Sequence, residues 1–476
     1  MRESSFGPFL SRKGRRESSF AAFPQEMLFY RLRKNARKFF WSFSFKKRTT
    51  FKKEKKRVNV RKIAWETLRR GARAGQYSNL AVDAVLKQYQ PQAADRAFLT
   101  ALIYGTVERK LTLDYWINTL ADRPPDDETR TLLRLGLYQL AFLDRVPDHA
   151  AVNETVALAP KRTAGFVNAV LRSFLRRGKR IDPPDRNSDP VEYLAVAYSV
   201  LPVLCRRLAD TFGVERTEQI LRACGEKPPV CLRVNTLKTT AEALAEVLRG
   251  EGYDPEPIGE TGLRLRGNVP VVALPKFKEG WFFVQDEASQ RCVRALEARP
   301  GMSVIDVCAC PGSKSFGAAA DLQNRGEIRA FDLHRSKLSL VENGAARLGI
   351  TILTAAERDA REPLPAWEGR ADRVICDVPC SGYGVIAKKP ELRYKDPAAC
   401  AGLPAIQAEI LERSATLLRR GGKLTYSTCT ILPEENGDVV DAFLADHPSF
   451  SEMERVALFP DADKTDGFFY AVLRRN

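Results

Sequence analysis

From about residue 286 onward, short apolar runs alternate with helix-like segments, and this alternation limits the possible folds more than any other feature of the 476-residue chain. It is typical of βαβ units in a parallel sheet, which binds its ligands at the carboxyl ends of the strands. We therefore predict a Rossmann-like α/β domain over residues 286–476. Its expected strands are Val304–Val307, Glu327–Phe331, Arg373–Cys376 and Lys423–Tyr426.

Two regions with regular patterns precede this domain. Apolar residues recur at helical spacings through residues 58–180 without a cluster of catalytic side chains, which predicts an all-α binding domain. Residues 181–285 begin with a proline-containing linker and then show strand and helix patterns, so we expect a small α+β module there. Its first strand is expected at Val230–Asn235, and further short strands at 262–274.

Residues 1–57 differ in composition from the rest of the chain. They hold ten of the 25 phenylalanines, and 18 Lys and Arg against 4 Asp and Glu, with little periodicity. A disordered basic tail or an organellar transit peptide would have this composition. We favour the hypothesis that this basic extension is a start-site artefact. A purine run like a bacterial ribosome-binding site could encode Lys53-Glu54, and a GTG start codon could encode Val58.

The positive charge of the chain is unevenly distributed, although the formal total is +17. Residues 58–180 carry 20 basic against 12 acidic side chains, whereas residues 181–476 carry 38 against 43. A basic accessory domain beside a near-neutral body is consistent with docking on the phosphate backbone of a nucleic acid. Ordinary solvated faces explain the charge equally well, so charge alone does not decide between the two.

The cysteines and histidines argue against a structural metal. None of the ten cysteines forms a C-x-x-C pair, and the three histidines lie far apart, so no zinc site is expected. Reduced thiols and the lack of a secretory signal favour a cytoplasmic protein. No stretch approaches the roughly 20 apolar residues that a membrane span needs. We expect a soluble protein without metal or membrane contacts, and a monomer in preference to an oligomer.

A loop of small residues follows the first predicted strand of the α/β domain and precedes a helix expected to begin near Ser315. We call it the cofactor loop, and it consists of Cys308, Ala309, Cys310, Pro311, Gly312, Ser313 and Lys314. Such a loop exposes backbone N–H groups and a helix N-terminus to a ligand, although one glycine is a weak signal.

Asp332 ends the next strand, where it could accept hydrogen bonds from ribose hydroxyls. Asp359 follows the third strand region, near where an adenine amino group would lie. Each aspartate alone could equally be a solvated residue or a helix cap, but their order on one sheet favours a nucleotide cofactor.

Two further loops place a cysteine just past a strand end. Cys380 lies in Asp377–Gly384, and Cys429 lies in Tyr426–Thr430. A loop can expose a thiol and let neighbouring groups lower its pKa. Most cysteines are instead buried and inert, and we predict this for Cys205, Cys224, Cys231, Cys292, Cys376 and Cys400.

The segments D-V-P-C-S-G-Y-G and S-T-C-T resemble the two cysteine motifs of the RNA 5-methylcytosine methyltransferases related to ribosomal RNA small subunit methyltransferase B. Further similar segments are Arg233–Lys238, Lys389–Tyr394 and Asp466–Phe469, and Gly165–Arg172 resembles the NusB-like domain of the ribosomal members. The resemblance covers residues 58–476. It implies an all-α NusB-like helical domain, a small α+β module and an α/β Rossmann-like class I methyltransferase domain.

The same resemblance implies the chemistry. Cys429 would add to carbon 6 of a cytosine in small-subunit ribosomal RNA, and Cys380 would help to release the product. S-adenosylmethionine would bind at the cofactor loop, with Asp332 on its ribose and Asp359 near its adenine. Asp377 would hydrogen-bond the cytosine edge or the methionine end of the cofactor.

The chain departs from the family pattern at three positions. Cys310 stands where alanine is usual, and Ser313 where a second glycine is usual; because serine tolerates positive φ poorly, we expect a less favourable loop. Tyr383 stands where leucine is common, and could stack on a base or pack in the interior. Three other functions stay open: the same chemistry on transfer RNA, a DNA cytosine methyltransferase with Cys380 as the nucleophile, and a non-catalytic RNA-binding assembly factor.

Overall fold

The computed structural model describes residues 59–74, 79–267 and 269–476. The basic extension and the start-site hypothesis for it therefore lie outside the described residues. Within the described part, no helix has both the length and the apolar character needed to cross a membrane.

The first described region is all helical, as the periodicity predicts. Each helix buries one apolar face against its neighbours; Lys161–Arg176, for example, buries Val167, Val170, Leu171 and Phe174. Asp126 caps one helix by accepting a hydrogen bond from the Thr129 N–H. The helices are α1 (Val60–Ala74), α2 (Asn79–Tyr89), α3 (Ala93–Glu108), α4 (Lys110–Leu120), α5 (Asp127–Phe142), α6 (Asp148–Leu158) and α7 (Lys161–Arg176).

Three helices and a small antiparallel sheet follow: α8 (Pro190–Tyr198), α9 (Pro202–Phe212), α10 (Val214–Ala223), β1 (Val230–Val234), α11 (Ala241–Gly250), β2 (Glu256–Ile258), β3 (Gly262–Leu265) and β4 (Phe282–Val284). The strand order is β2-β3-β1-β4. The expectation of strands throughout 262–274 is wrong beyond Leu265, since Val271–Ala273 is a 3₁₀ turn. Pro270 and Pro275 flank that turn, and proline removes the N–H that a strand needs.

The C-terminal region contains a seven-stranded sheet in the order β10-β11-β9-β8-β5-β6-β7. β11 is antiparallel to both of its neighbours, and the remaining pairs are parallel. The strands are β5 (Ser303–Asp306), β6 (Glu327–Asp332), β7 (Leu353–Glu357), β8 (Ala371–Asp377), β9 (Leu418–Thr428), β10 (Phe450–Leu458) and β11 (Phe468–Arg475). The helices are α12 (Glu287–Ala295), α13 (Ser313–Asp321), α14 (Arg335–Leu348), α15 (Leu403–Leu417), α16 (Gly437–Asp446) and α17 (Pro460–Asp463). The carboxyl ends of β5, β6, β8 and β9 meet at one edge of the sheet, which places the predicted site residues there.

A short segment after the Cys380 loop connects the helical region to the sheet. The Tyr394 hydroxyl donates to the Val107 carbonyl at 2.6 Å and accepts from the Lys110 N–H at 3.2 Å. The next residue, Lys395, binds back to the Cys380 loop. Its Nζ donates to the Ser381 carbonyl at 3.1 Å. The helical region thus helps to hold a loop of the sheet in place.

Candidate functional site

The two loop cysteines lie side by side, and we call them the thiol pair. β8 and β9 are adjacent and parallel, with Asp377 in register with Ser427, so the loops that follow these strands leave the sheet together. The Sγ atoms of Cys380 and Cys429 are 3.3 Å apart. The Cys429 N–H also points at Cys380 Sγ, at 3.3 Å. The fold therefore joins residues that are 49 positions apart in the chain.

Buried polar side chains from the P-E-E-N segment, Pro433–Asn436, fix these two loops. Glu435 Oε2 accepts from the Ser381 N–H at 2.8 Å and from Gln407 Nε2 at 2.9 Å. Asn436 Oδ1 accepts from the Thr428 hydroxyl at 2.5 Å. These buried hydrogen bonds restrict both loops and so hold the thiol pair in place.

The thiols of the pair have unequal acidities. The hydrogen bond from Cys380 holds the pKa of Cys429 below its ordinary value, against the effect of burial. The positive charges of Lys389 and Lys314 act in the same direction. The same hydrogen bond raises the pKa of Cys380 well above its ordinary value, and burial adds to this. Cys429 is therefore the more acidic thiol of the pair.

Asp377 and Lys314 form an ion pair beside the thiols. Lys314 Nζ lies 2.6 Å from Asp377 Oδ2 and 5.3 Å from the centre of the Phe468 ring. Asp377 Oδ1 accepts from the Ser427 hydroxyl at 2.7 Å. Burial opposes the charge on Lys314, but Asp377 outweighs it, and the pKa of Lys314 is raised. Lys314 therefore keeps its positive charge beside Asp377, whereas the sequence indicates Lys314 only as part of the cofactor loop.

The cofactor loop differs from its sequence-based expectation in two respects. Its helix, α13, begins at Ser313 and not near Ser315. The positive φ is taken by Gly312, at +109°, and Ser313 is not among the residues with positive φ. The expected strain at Ser313 is therefore wrong, because one glycine makes the turn and the serine already belongs to the helix.

The two aspartates predicted to bind the cofactor have different surroundings. Asp332 accepts from the Cys310 N–H at 3.3 Å and from the His334 N–H at 2.9 Å, so it lies against the cofactor loop. Asp359 instead pairs with Arg361, whose Nη2 lies 2.6 Å away. Hydrogen bonds from Arg361 lower the pKa of Asp359 to about 2. The structure thus gives Asp332 a contact with the cofactor loop and gives Asp359 a local partner.

Asp306 is a residue of this edge that sequence reasoning missed. It ends β5 directly below the cofactor loop and is almost fully buried. Its Oδ2 accepts from the Ser315 hydroxyl at 2.6 Å, whereas its Oδ1 has no partner among the described residues. Burial raises its pKa to about 7. An acidic residue at the end of the first strand, immediately before the loop, was the available signal.

The remaining predictions concern buried side chains. Tyr383 is fully buried, and its hydroxyl donates to the Lys395 carbonyl at 3.1 Å, so packing and not base stacking explains it. The six cysteines predicted to be buried are all buried, which confirms that prediction. Across the described ranges, no group of three or more His, Cys, Asp or Glu side chains is arranged to hold a metal ion.

Three family models match parts of the chain. The model described as 16S rRNA methyltransferase RsmB/F matches residues 293–474. The NusB family matches residues 58–176, and the ferredoxin-like domain of RsmF/B-like methyltransferases matches residues 203–272. The probable ribosomal RNA small subunit methyltransferase B of Bacillus subtilis is 36% identical over 447 residues, covering 88% of this chain and 99% of that protein. This chain belongs to the ribosomal RNA small subunit methyltransferase B family.

Further comparisons agree with this family membership. The probable ribosomal RNA small subunit methyltransferase B of Synechocystis is 34% identical, covering 88% of this chain and the whole of that protein. The crystal structure of PH0851 superposes with a TM-score of 0.73 at 27% identity, covering 88% of this chain and 99% of that one. The predicted fold class, a NusB-like helical domain, a small module and a Rossmann-like methyltransferase domain, is confirmed.

Proposed function

We propose that the protein methylates carbon 5 of a cytidine in small-subunit ribosomal RNA, with S-adenosylmethionine as the methyl donor and Cys429 as the nucleophile. The observation that carries this proposal is the thiol pair, with a sulfur–sulfur distance of 3.3 Å, beside the Lys314–Asp377 ion pair. Family membership supports ribosomal RNA as the substrate.

The first step is the addition of Cys429 to the cytosine. Carbon 5 of cytosine is a poor nucleophile, and a sulfur added at carbon 6 turns it into the reactive end of an enamine. Only a thiolate adds in this way, and the lowered pKa of Cys429 favours that form. The target base must be unpaired or flipped out to reach the sulfur.

Asp377 and Lys314 orient the base and stabilise the adduct. The Asp377 side chain is 30% exposed, so lone pairs remain for the exocyclic amino group of cytosine. The Lys314 ammonium is nearly buried and stabilises negative charge that develops on the ring during addition. Its charge also favours the Cys429 thiolate, whose pKa it lowers.

Cys380 acts after methyl transfer. While Cys429 is a thiolate, Cys380 keeps its proton, because their hydrogen bond raises its pKa. Once the Cys429 sulfur is bonded to carbon, that charge is gone and Cys380 can release its proton to solvent. The resulting thiolate takes the proton from carbon 5, and the electrons left behind expel Cys429 from carbon 6.

The residues around the cofactor loop fit S-adenosylmethionine, which supplies an electrophilic methyl group when it is bound. The first N–H groups of α13 lack intrahelical acceptors and suit the methionine carboxylate. Asp332 lies against the loop, where it can accept from ribose hydroxyls. The free Oδ1 of Asp306 and the charge of Asp377 suit the amino group of the methionine portion. Asp359 can reach the adenine amino group only in addition to its contact with Arg361.

We further propose that the helical domain, residues 58–180, docks the RNA. Its excess of basic over acidic side chains, 20 against 12, favours contact with phosphates. The small module then comprises 181–285 and the catalytic domain 286–476. We propose that the enzyme is a monomer and works on ribosomal RNA in the cytoplasm.

The test is nucleoside mass spectrometry of unmodified small-subunit ribosomal RNA incubated with the full chain and S-adenosylmethionine. The wild type should form 5-methylcytidine, and the Cys429→Ala variant should form none although it still binds the cofactor. Product from both proteins would refute Cys429 as the nucleophile. The wild type could instead bind the cofactor and methylate transfer RNA but form no product on ribosomal RNA. That result would refute ribosomal RNA as the substrate.

A further inference from the structure

A cavity lies near the thiol pair. It has a volume of about 370 Å³ and is bounded by three parts of the chain: the segment after α10, the small module, and the two loops of the sheet that contain Gly384 and Asp466. Neither the thiol pair nor the cofactor loop lines it. We call this cavity the junction pocket.

The junction pocket shares its wall with the catalytic site. The Gly384 N–H donates to the Cys429 carbonyl at 3.0 Å, and the Gly384 carbonyl accepts from the Gly467 N–H at 2.8 Å. Phe468, the next residue, lies against Lys314. The Gly384 backbone therefore contacts both the Cys429 loop and the junction pocket.

An ion cluster forms one wall of the junction pocket. Lys388 Nζ lies 2.6 Å from Asp286 Oδ2 and 2.7 Å from Asp466 Oδ2. Burial raises the pKa of Asp466 to about 6, and Asp286 adds to this. Charged donors and acceptors held in fixed positions suit the edge of a nucleobase, which carries both amino donors and carbonyl acceptors.

The rim of the junction pocket carries free positive charge. Lys227 and Lys464 are exposed and have no ion-pair partner among the described residues. One acidic residue of the lining, Glu226, is likewise exposed and unpaired among the described residues. The other lining acids are paired, Glu287 with Arg264 and Asp461 with Arg216. Two unpaired lysines against one unpaired glutamate leave the rim attractive to phosphate.

We propose that the junction pocket binds a nucleotide next to the target cytidine, with its base against the Lys388–Asp466 cluster and its phosphate near Lys227 and Lys464. The volume lies within the range of ligand sites, roughly 300–1,000 Å³. This inference rests on the proposed function. It adds a subsite that selects the sequence around the methylated position, because single-stranded RNA is recognised through splayed bases.

The first experiment compares Lys227→Gln/Lys464→Gln with wild type and with Lys278→Gln. Lys278 is an exposed lysine of the module that contains Lys227, and it does not line the pocket, so it is the control for loss of a surface charge. The double variant should raise the KM for ribosomal RNA severalfold and lower the dependence of log KM on log salt concentration by about 2. Its kcat should stay within about twofold, as expected when only binding is lost. A double variant that behaves like Lys278→Gln would refute the phosphate contact.

The second experiment locates the base. After the methylated cytidine has been mapped, ribosomal RNA is assembled by ligation with one 4-thiouridine in turn at each of the two positions on either side of it. Irradiation should crosslink at least one of these to a peptide from 226–231, 264–266, 384–388 or 460–466. Crosslinks only outside these peptides would refute the pocket while 5-methylcytidine still forms. Absence of 5-methylcytidine itself would instead refute the proposed function, so the two failures are distinct.

Discussion

The thiol pair and the cofactor loop lie on the same edge of one sheet but are built in opposite ways. At the thiol pair, side chains from β8, β9, α13 and the P-E-E-N segment contact one another, and each contact depends on the identity of the residue. At the cofactor loop, Gly312 makes the turn and backbone N–H groups are the proposed contacts with the ligand, so side-chain identity should matter less. This explains how the chain has Cys310 and Ser313 where the family usually has other residues, while Gly312 still forms the turn.

The comparison shows where substitutions are tolerated. A substitution that removes a side chain from the thiol pair or from the Lys314–Asp377 ion pair should affect the chemistry. A substitution in the cofactor loop before Lys314 should matter only if it changes the backbone. The four predictions below test this difference.

The largest effect is expected for Cys380→Ala. Turnover should fall about a thousandfold, the scale of a lost proton-transfer group, because the methylated adduct cannot lose its carbon 5 proton. A covalent protein–RNA complex should accumulate and be visible on a denaturing gel. Cys310→Ala, a cysteine of the cofactor loop, is the control and should show neither change. If Cys380→Ala turns over as fast as Cys310→Ala, Cys380 is not the group that removes the carbon 5 proton.

Asp377→Asn should lower the rate of methyl transfer about a hundredfold. The variant leaves the Lys314 charge buried without its partner, so the free energy of unfolding should also fall by about 3 kcal/mol. Asp441→Asn breaks an exposed pair with Arg455 and should cost less than about 1 kcal/mol. Single-turnover kinetics measure the rate of methyl transfer, and chemical denaturation measures the free energy of unfolding. If Asp377→Asn and Asp441→Asn lose the same free energy of unfolding, the buried pair is no more important for stability than the exposed one.

Gly312→Ala tests the backbone of the cofactor loop. The new Cβ would clash with the Phe316 ring, at a φ of +109°. Calorimetry should show binding of S-adenosylmethionine weakened about tenfold, the scale of one strained backbone position. Gly301→Ala has a similar φ, +92°, but nothing within 4 Å of its Cβ, so it should leave cofactor affinity unchanged. If Ser313→Gly strengthens binding as much as Gly312→Ala weakens it, the assignment of the turn to Gly312 is wrong.

The smallest effect is a shift in pH dependence. Since the Cys380 hydrogen bond holds the pKa of Cys429 low, the rate of adduct formation should rise with pH and level off once Cys429 is ionised. Cys380→Ala removes the donor, so the pKa of Cys429 should rise and the curve should move to higher pH. Single-turnover rates across a pH series measure this. A curve that stays in place, or moves to lower pH, would contradict the proposed proton donor.

The sequence predicted the strands that carry the site because each is a short apolar run that alternates with a helix-like segment. It did not predict β10 or β11, whose pairing depends on contacts across the sheet that no local pattern records. Similarly, a lysine in a helical first turn gives no sign of its partner, so the contact between Lys314 and Asp377, 63 residues apart, was not foreseen. The local Arg361 partner of Asp359 was missed because the aspartate was judged by its place on the sheet and not by its neighbours.

The contact between Tyr394 and the helical domain has a consequence for how the chain is made. Tyr394 lies 284 residues after Lys110, its hydrogen-bond partner. A ribosome that adds about 5–20 residues per second needs on the order of tens of seconds to cover that distance. The helical domain therefore emerges and folds with its Val107–Lys110 face uncovered, and that face acquires its partner only when synthesis is nearly complete. The Cys380 loop, held through Lys395, is consequently among the last parts of the molecule to reach its final form.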